Sequence, residues 1–178
     1  RESEISPRMT SIIVGLYAAW LSLDKRIESL TLEVEKISEV ETNCERLMSV
    51  PGIGPMISTA TVAAIGTGEA FDRGRDFGAW LGLVPRQYST GGKPILGRIS
   101  KQGNRYLRTL FVQAAHIILM RPKNWLKFGF GRWLEQASTR MHKNKLATAL
   151  ANKLARIAWS ILRNGGTFGT HVRTAEAI

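Results

Sequence analysis

Two adjacent hydroxyl residues, Ser89 and Thr90, lie in a segment, residues 85 to 108, that carries Arg86, Lys93, Arg98, Lys101, Arg105 and Arg108 and no acidic side chain. A serine hydroxyl can attack a DNA phosphodiester and hold it as a covalent ester when cations neutralise the charge that builds on the phosphorus oxygens. Gly91, Gly92, Gly97 and Gly103 allow the backbone to approach a phosphate closely, and Tyr88 adds an aromatic surface. The residue types therefore suit a loop that faces a nucleic-acid backbone with a nucleophile in it. The same Ser-Thr-Gly-Gly string is also an ordinary turn, so on the residues alone both readings stand.

Other chemistries are poorly supplied. The histidines His116, His142 and His171 are scattered without a second ligand at helical spacing, so the sequence predicts no metal site and no cofactor. Paired carboxylates for two-metal phosphoryl transfer are missing, because most acids fall in an N-terminal helical pattern where they read as solvated flanks. Glu69, Asp72 and Asp76 come nearest to a cluster, but Arg73 and Arg75 beside them favour caps and ion pairs. His116, set among Ala115, Ile117 and Ile118, reads as a core histidine. The lone cysteine, Cys44, excludes an internal disulfide framework and reads as a packing residue.

Charge is strongly polarised. From Val84 to Arg163 there are sixteen Lys or Arg against Glu135 alone, a balance of +15, whereas Asp24 to Glu45 holds three bases and seven acids, a balance of −4. The net +11 of the 178 residues understates the basic half, which asks for a polyanionic partner such as DNA or RNA. A membrane partner is disfavoured, since no run of about eighteen apolar residues exists. Without a visible signal peptide the expected setting is cytoplasmic. The opening RESEISPR, which lacks an initiator methionine, reads as a cut end, so the chain is expected to be a C-terminal fragment of something longer.

Several elements must position the basic segment. Leu16, Trp20, Leu23, Ile27, Leu30, Val34 and Ile37 alternate four and three apart, a heptad seam that predicts a long helix ending near Met48. Such a seam would also serve a helix folded back on its own domain, but no equally long partner lies nearby in sequence, which favours a coiled coil with another subunit or with a further part of the protein. The seam lapses at Glu41 and resumes at Cys44 and Met48. Next, LMSVPGIGPMISTATVAAIG (47 to 66) resembles a helix-hairpin-helix element, in which Gly52 and Gly54 would let backbone amides meet a DNA phosphate. A purely structural turn between helices fits it as well. A short helix is predicted from about Arg73 to Leu81, with its aromatics packed under the basic loop. Another is predicted from an Asn104 cap through Ile118, stopped by Pro122, with Arg105 and Arg108 on its first turns. Trp125, Phe128, Phe130 and Trp133 read as core. A final amphipathic helix through Leu146, Leu150, Leu154, Ile157 and Ile161, decorated by Lys143, Lys145, Lys153 and Arg156, is expected to stop at Gly165. No run of alternating strands stands out, so the fold class is all-α, with a long N-terminal coiled-coil helix and an irregular basic loop. The expected division is a linker helix over 1–46 and a helical domain over 47–178, with the candidate nucleophile loop at 85–103.

The ordered series VPGIGP (50 to 55), FxxxxxFxAWLGLVPRQYSTGGK (71 to 93) and LGRISKQGNRYLRTLF (96 to 111) resembles the C-terminal transposase domain of the insertion-sequence 110 family, and its STGGK loop resembles the 1111 subgroup. The match is close over about 47 to 120 and looser in the flanking helices. The resemblance implies a two-part recombinase: an N-terminal RuvC-like domain whose four acids bind magnesium, a coiled-coil linker, and a domain with a serine nucleophile, guided to DNA by a structured noncoding RNA. It places the serine just after PRQY, at Ser89 by loop length, while alignment from Tyr88 without a gap selects Thr90. The basic segment and the hairpin-like turn supply the expected nucleic-acid contacts: Gly52, Gly54, Arg86, Lys93, Arg98, Lys101, Arg105 and Arg108. The acidic tetrad has no counterpart in these residues, so the fragment is expected to bind nucleic acid and form a homo-oligomer but not to recombine DNA alone. Competing readings are a non-catalytic helix-hairpin-helix nucleic-acid-binding module and a structural coiled-coil adaptor.

Overall fold

Helix-favouring sequence dominates the chain, and the computed structural model, which describes residues 6–90 and 93–169, is correspondingly mostly helical. Seven α-helices are found among the described residues: α1 (Pro7–Val40), α2 (Thr42–Met48), α3 (Pro55–Ile65), α4 (Gly74–Trp80), α5 (Arg105–Leu119), α6 (Gly131–Arg140) and α7 (Lys143–Asn164). A 3-10 helix, Pro122–Lys127, precedes α6. The side chains of Thr90, Lys93 and Pro94 lie outside the described set, as do Gly91 and Gly92.

The all-α class is borne out, with one local difference. The segment expected to be an irregular loop is an antiparallel hairpin, β1 (Pro85–Thr90) and β2 (Lys93–Ile99), with Gln87 opposite Leu96 and Tyr88 opposite Ile95. Its sequence hides the strands. A bulge between Pro85 and Gln87 breaks the period of two, and Gly97 interrupts β2 with no side chain to reveal a face. A Cβ at Gly97 would lie 3.3 Å from Tyr88 Cε2, so the tyrosine ring covers the space which the glycine leaves across the pair.

α1 starts at Ser6, whose Oγ accepts from the Met9 amide at 3.3 Å, followed by Pro7 in the first turn. The long helix stops at Val40, eight residues before the expected end, because Glu41 takes an extended conformation (φ −85, ψ 109) and starts the separate α2. That break coincides with the lapse of the heptad seam. Most of α1 is exposed; near its C-terminal end Ser38 is buried, where the helix meets α2 and α3.

From α2 onward the apolar residues enter one core. α5 packs along α7, and the buried Ala114, Ala115, Ala147, Ala151, Ala155 and Ala158 allow the two backbones to come close. Phe77 and Phe111, both fully buried, meet edge to face with ring centroids 6.2 Å apart, and Phe71 and Trp80 extend the cluster beneath the hairpin. Phe130 is buried while Trp125, Phe128 and Trp133 pack partly buried against the same core, in accord with the sequence reading. His116 is only half-buried, on the edge of α5 rather than in the core. α7 ends at Gly165 in the left-handed conformation (φ 70), as its sequence predicts.

Cys44 is buried in α2. Burial pushes its thiol above the ordinary cysteine range, the Glu41 carboxylate adds to the rise, and a hydrogen bond with Ser58 opposes it. A raised, inaccessible thiol is a poor nucleophile. Alkylation of the native chain by a maleimide, followed by mass spectrometry, is expected to run about a hundredfold or more slower than in denaturant. Equal rates in the two conditions would contradict the packing described here.

Candidate nucleic-acid interface

The hairpin projects from a root in which two chain segments, 78 to 84 and 100 to 104, lock together. The Leu83 amide donates to the Gly78 carbonyl at 3.0 Å, the Lys101 amide to Gly82 O at 3.1 Å, the Ser100 amide to Val84 O at 2.8 Å, and the Asn104 amide to Trp80 O at 3.3 Å. Two side chains from the helical body reach the same root. Arg108 Nη1 donates to Leu81 O at 2.9 Å and to Gln102 O at 3.4 Å, while Asn152 Nδ2 of α7 donates to Leu83 O at 3.3 Å. A buried carbonyl without a partner costs about 1–3 kcal/mol, so these contacts tie the direction of the hairpin to α5 and α7.

Beyond the root, residues 86–89 and 95–98 are exposed. Ser89 points to the same side of β1 as Gln87, whose Nε2 donates to Ser89 Oγ at 2.9 Å. This amide occupies one lone pair of the hydroxyl and fixes its rotamer, leaving the hydroxyl proton directed elsewhere. Gln87 cannot accept that proton through the nitrogen that faces Ser89, so a base must come from another group. Thr90 follows in β1, but its side chain lies outside the described set.

The cations expected to face phosphate divide into two groups. Arg86 Nη2 donates to Ser100 O across the hairpin at 3.2 Å, and Arg108 is half-buried at the root, so both have a structural task as well as a charge. Arg98, Lys101 and Arg105 are exposed, and their side chains have no hydrogen bond or ion pair among the described residues. Lys101 is the one non-glycine residue with positive φ (55) among the described residues, a conformation that disfavours its own side chain and is held by the bond from its amide to Gly82 O. Asn104 caps α5 through its Oδ1, accepting from the Leu107 amide at 3.0 Å, and Arg105 occupies the first turn. Lys93 falls outside the described side chains.

The Pro-Gly-Ile-Gly turn sits on the far end of α5. Gly52 has φ 84, and a Cβ there would come within 3.0 Å of Ile118 Cδ1, so close packing against α5 accounts for this glycine. Gly54, which precedes α3, has open space where its Cβ would be. Asp76 accepts from the Arg73 amide at 3.1 Å and Glu69 lies 3.7 Å from Arg163, which agrees with the expected caps and ion pairs.

Residues 44–128 match the family described as "Transposase IS116/IS110/IS902 family". The chain carries a transposase domain of this family. It is 39% identical over 170 residues to the transposase for insertion sequence element IS1328 of Yersinia enterocolitica, covering 94% of this chain and 50% of that protein. It is 35% identical over 164 residues to the transposase for insertion sequence element IS1111A of Coxiella burnetii, covering 92% of this chain and 45% of that protein. A probable family 20 transposase of Pseudomonas aeruginosa is 43% identical over 141 residues, 79% of this chain and 41% of its own. The chain thus spans about half the length of the curated relatives it matches. The matched region of the IS116/IS110/IS902 domain runs from α2 to the 3-10 helix and includes the whole hairpin and its root.

Sequence reasoning missed Asn152 and Gln87 as parts of the site. Asn152 reaches Leu83 across 69 positions of chain, which no local pattern can signal. Gln87 becomes legible only once β1 is known to be a strand, since alternation then pairs it with Ser89.

Proposed function

We propose that the chain is the DNA-strand-transfer part of an insertion-sequence transposase, with Ser89 as the nucleophile. The observation that carries this reading is an exposed serine on a basic hairpin, its hydroxyl oriented by Gln87, within a transposase domain of the IS116/IS110/IS902 family. Ser89 Oγ attacks a DNA phosphorus while its hydroxyl proton passes to a base other than Gln87; its oxygen–phosphorus bond forms, the bond to one deoxyribose oxygen breaks, and that oxygen leaves as a hydroxyl after taking up a proton. A hydroxyl of the incoming strand then attacks the phosphoserine ester and restores the serine. Ser89 lies opposite Pro94 near the hairpin tip, whereas Arg86, Arg98 and Lys101 lie towards the root, so these cations hold flanking phosphates of the same DNA and keep the strand on the hairpin. Ser89 is taken as the nucleophile by loop length, and its hydroxyl has an orienting donor in Gln87.

The magnesium of the family does not fit here: among the described residues no three His, Cys, Asp or Glu side chains gather. That ion belongs to another part of the full transposase, and the step above does not run through it. A structured guide RNA is the second polyanion that the basic half would take, and cytoplasmic DNA is the substrate. Among the described residues no helix is long and apolar enough to cross a membrane.

A homo-oligomer forms through α1. Leu16, Trp20, Leu23, Ile27, Leu30 and Ile37 are each at least half exposed, an unpartnered heptad seam that a second copy complements. The linker is then α1, and the DNA-handling domain begins with α2 and not at residue 47, since Cys44 and Leu47 of α2 are both buried. Replacing Leu23 and Ile27 together by Asp is expected to shift the sedimenting species to monomer while the helical domain keeps its melting temperature. An unchanged oligomer would remove α1 as the interface.

The test of the catalytic reading joins the chain to the preceding part of its transposase and supplies the element's noncoding RNA and target DNA. A denaturing gel is then read for a covalent protein–DNA adduct. An adduct that survives denaturation and maps by mass spectrometry to the 85–99 peptide supports it. Recombination without any adduct, or an adduct mapped elsewhere, overturns the serine assignment.

A further inference from the structure

A second cationic site lies on α7, within one turn after the residue that pins the hairpin root. Lys153 follows Asn152 directly, is half-buried, and holds its Nζ 5.1 Å from the centroid of the Trp133 ring on α6. Arg156, three residues on and so on the same side of the helix, is exposed. Neither cation has an ion pair among the described residues, where the only one is Arg163 with Glu69. Glu135, the lone acid between Val84 and Arg163 in sequence, lies two positions from Trp133 and therefore on a different side of α6. Asp72 and Asp76 flank Gly74, which packs on the Arg156 backbone, but neither forms an ion pair with Arg156.

Two cations three residues apart with no counter-charge form an arrangement that folding does not reward. Burial lowers the Lys153 pKa and the like charge of Arg156 lowers it further, so the charged ammonium destabilises the folded chain at neutral pH. The sign follows from linkage: with the folded-state pKa depressed, the unfolded chain binds the proton better, and the penalty eases as pH rises toward the ordinary lysine range. The Trp133 face compensates only in part, because cation–π contacts are modest at half-exposed sites. An anion placed between the two side chains would remove the repulsion.

We propose that Lys153 and Arg156, with Lys153 aligned by Trp133, form a second contact for a DNA phosphate, separate from the hairpin. The inference rests on the DNA-handling part of the proposed function and not on its serine. Asn152 connects this contact to the hairpin through Leu83 O, so DNA seated on α7 is held by the element that fixes where Ser89 points. Its role is to position the duplex and not to react with it.

The experiment compares wild type with Lys153→Met plus Arg156→Gln, using the full 178-residue chain and a fluorescent duplex over a salt series. Loss of two phosphate contacts is expected to make the slope of log affinity against log salt shallower by about 1.8, at about 0.9 per contact, for any duplex sequence. The melting temperature is expected to stay the same or rise, since a repulsion has been removed. Lys25→Gln plus Arg26→Gln on α1, an equal loss of charge, should leave the slope nearly unchanged. A slope in the α7 variant within about 0.5 of wild type, half of one phosphate contact, overturns the proposal. A loss confined to guide-RNA binding also overturns it, by making the site an RNA contact. Ser89→Ala run alongside separates the two readings: the α7 contact stands if the slope changes even where no serine adduct forms, and falls if the adduct forms while the slope does not change.

Discussion

Ser89→Ala is expected to abolish the covalent protein–DNA adduct and strand exchange while leaving duplex and RNA binding within about twofold, because the hydroxyl contributes one uncharged group to a surface whose affinity comes from its cations. Removing a nucleophile that forms a covalent intermediate costs about four or more orders of magnitude in rate. The loss should appear with full occupancy of the DNA, which distinguishes it from the loss produced by Arg98 or Lys101 substitutions. Gln87→Ala offers an intermediate case. It leaves the hydroxyl in place and removes its orienting donor at 2.9 Å, so the rate should fall by about ten- to a hundredfold with unchanged binding. Thr90→Ala should retain the adduct. If Thr90→Ala loses it and Ser89→Ala keeps it, the register is one residue on and the contact with Gln87 has no catalytic meaning.

The extent to which this site could be read from sequence follows from where its contacts lie along the chain. Helix termini were legible because they are local: Asn104 as the cap of α5, Pro122 as a stop and Gly165 as the end of α7 are each decided by a few residues. The break at Glu41 was visible as a lapse in the heptad, although the sequence alone made one helix of what is two. The hairpin was not legible. Its strands have six and seven residues, with a bulge in one and a glycine in the other, and its apolar residues Tyr88, Ile95 and Leu96 are exposed on both faces. Alternation requires one buried face, and an arm that stands away from the core has none. The basic composition was legible as a demand for a polyanion, but not the division of labour within it. Arg108 reads in sequence like Arg105 three residues earlier, yet one is exposed and the other holds two carbonyls at the hairpin root. That distinction depends on contacts with Leu81, twenty-seven positions away.

The hairpin root also determines the largest expected effect on folding, which is Gly103→Ala. Gly103 has φ 88, and a Cβ built there would overlap the Trp80 carbonyl oxygen, so the substitution meets both a backbone conformation that L residues avoid and a solid wall. Neither can be relieved by a side-chain rotation. Turning φ negative would drag Asn104 off the Trp80 carbonyl to which its amide donates, and Asn104 is the cap of α5. The left-handed conformation costs about 1–2 kcal/mol for a residue with a Cβ. Loss of the cap costs about 1 kcal/mol more, and an unpartnered carbonyl about 1–3 kcal/mol. A total of about 4 kcal/mol corresponds to a fall in melting temperature of about 8–16 °C for a chain of this size. Gly15→Ala is the control, since that glycine lies within α1 with nothing within 4 Å of its missing Cβ, and alanine there should leave the melting temperature unchanged or higher. A Gly103→Ala chain that melts with wild type would mean that the root yields without cost. The hairpin would then not be held to α5 as described, and no fixed direction for Ser89 could be derived from it.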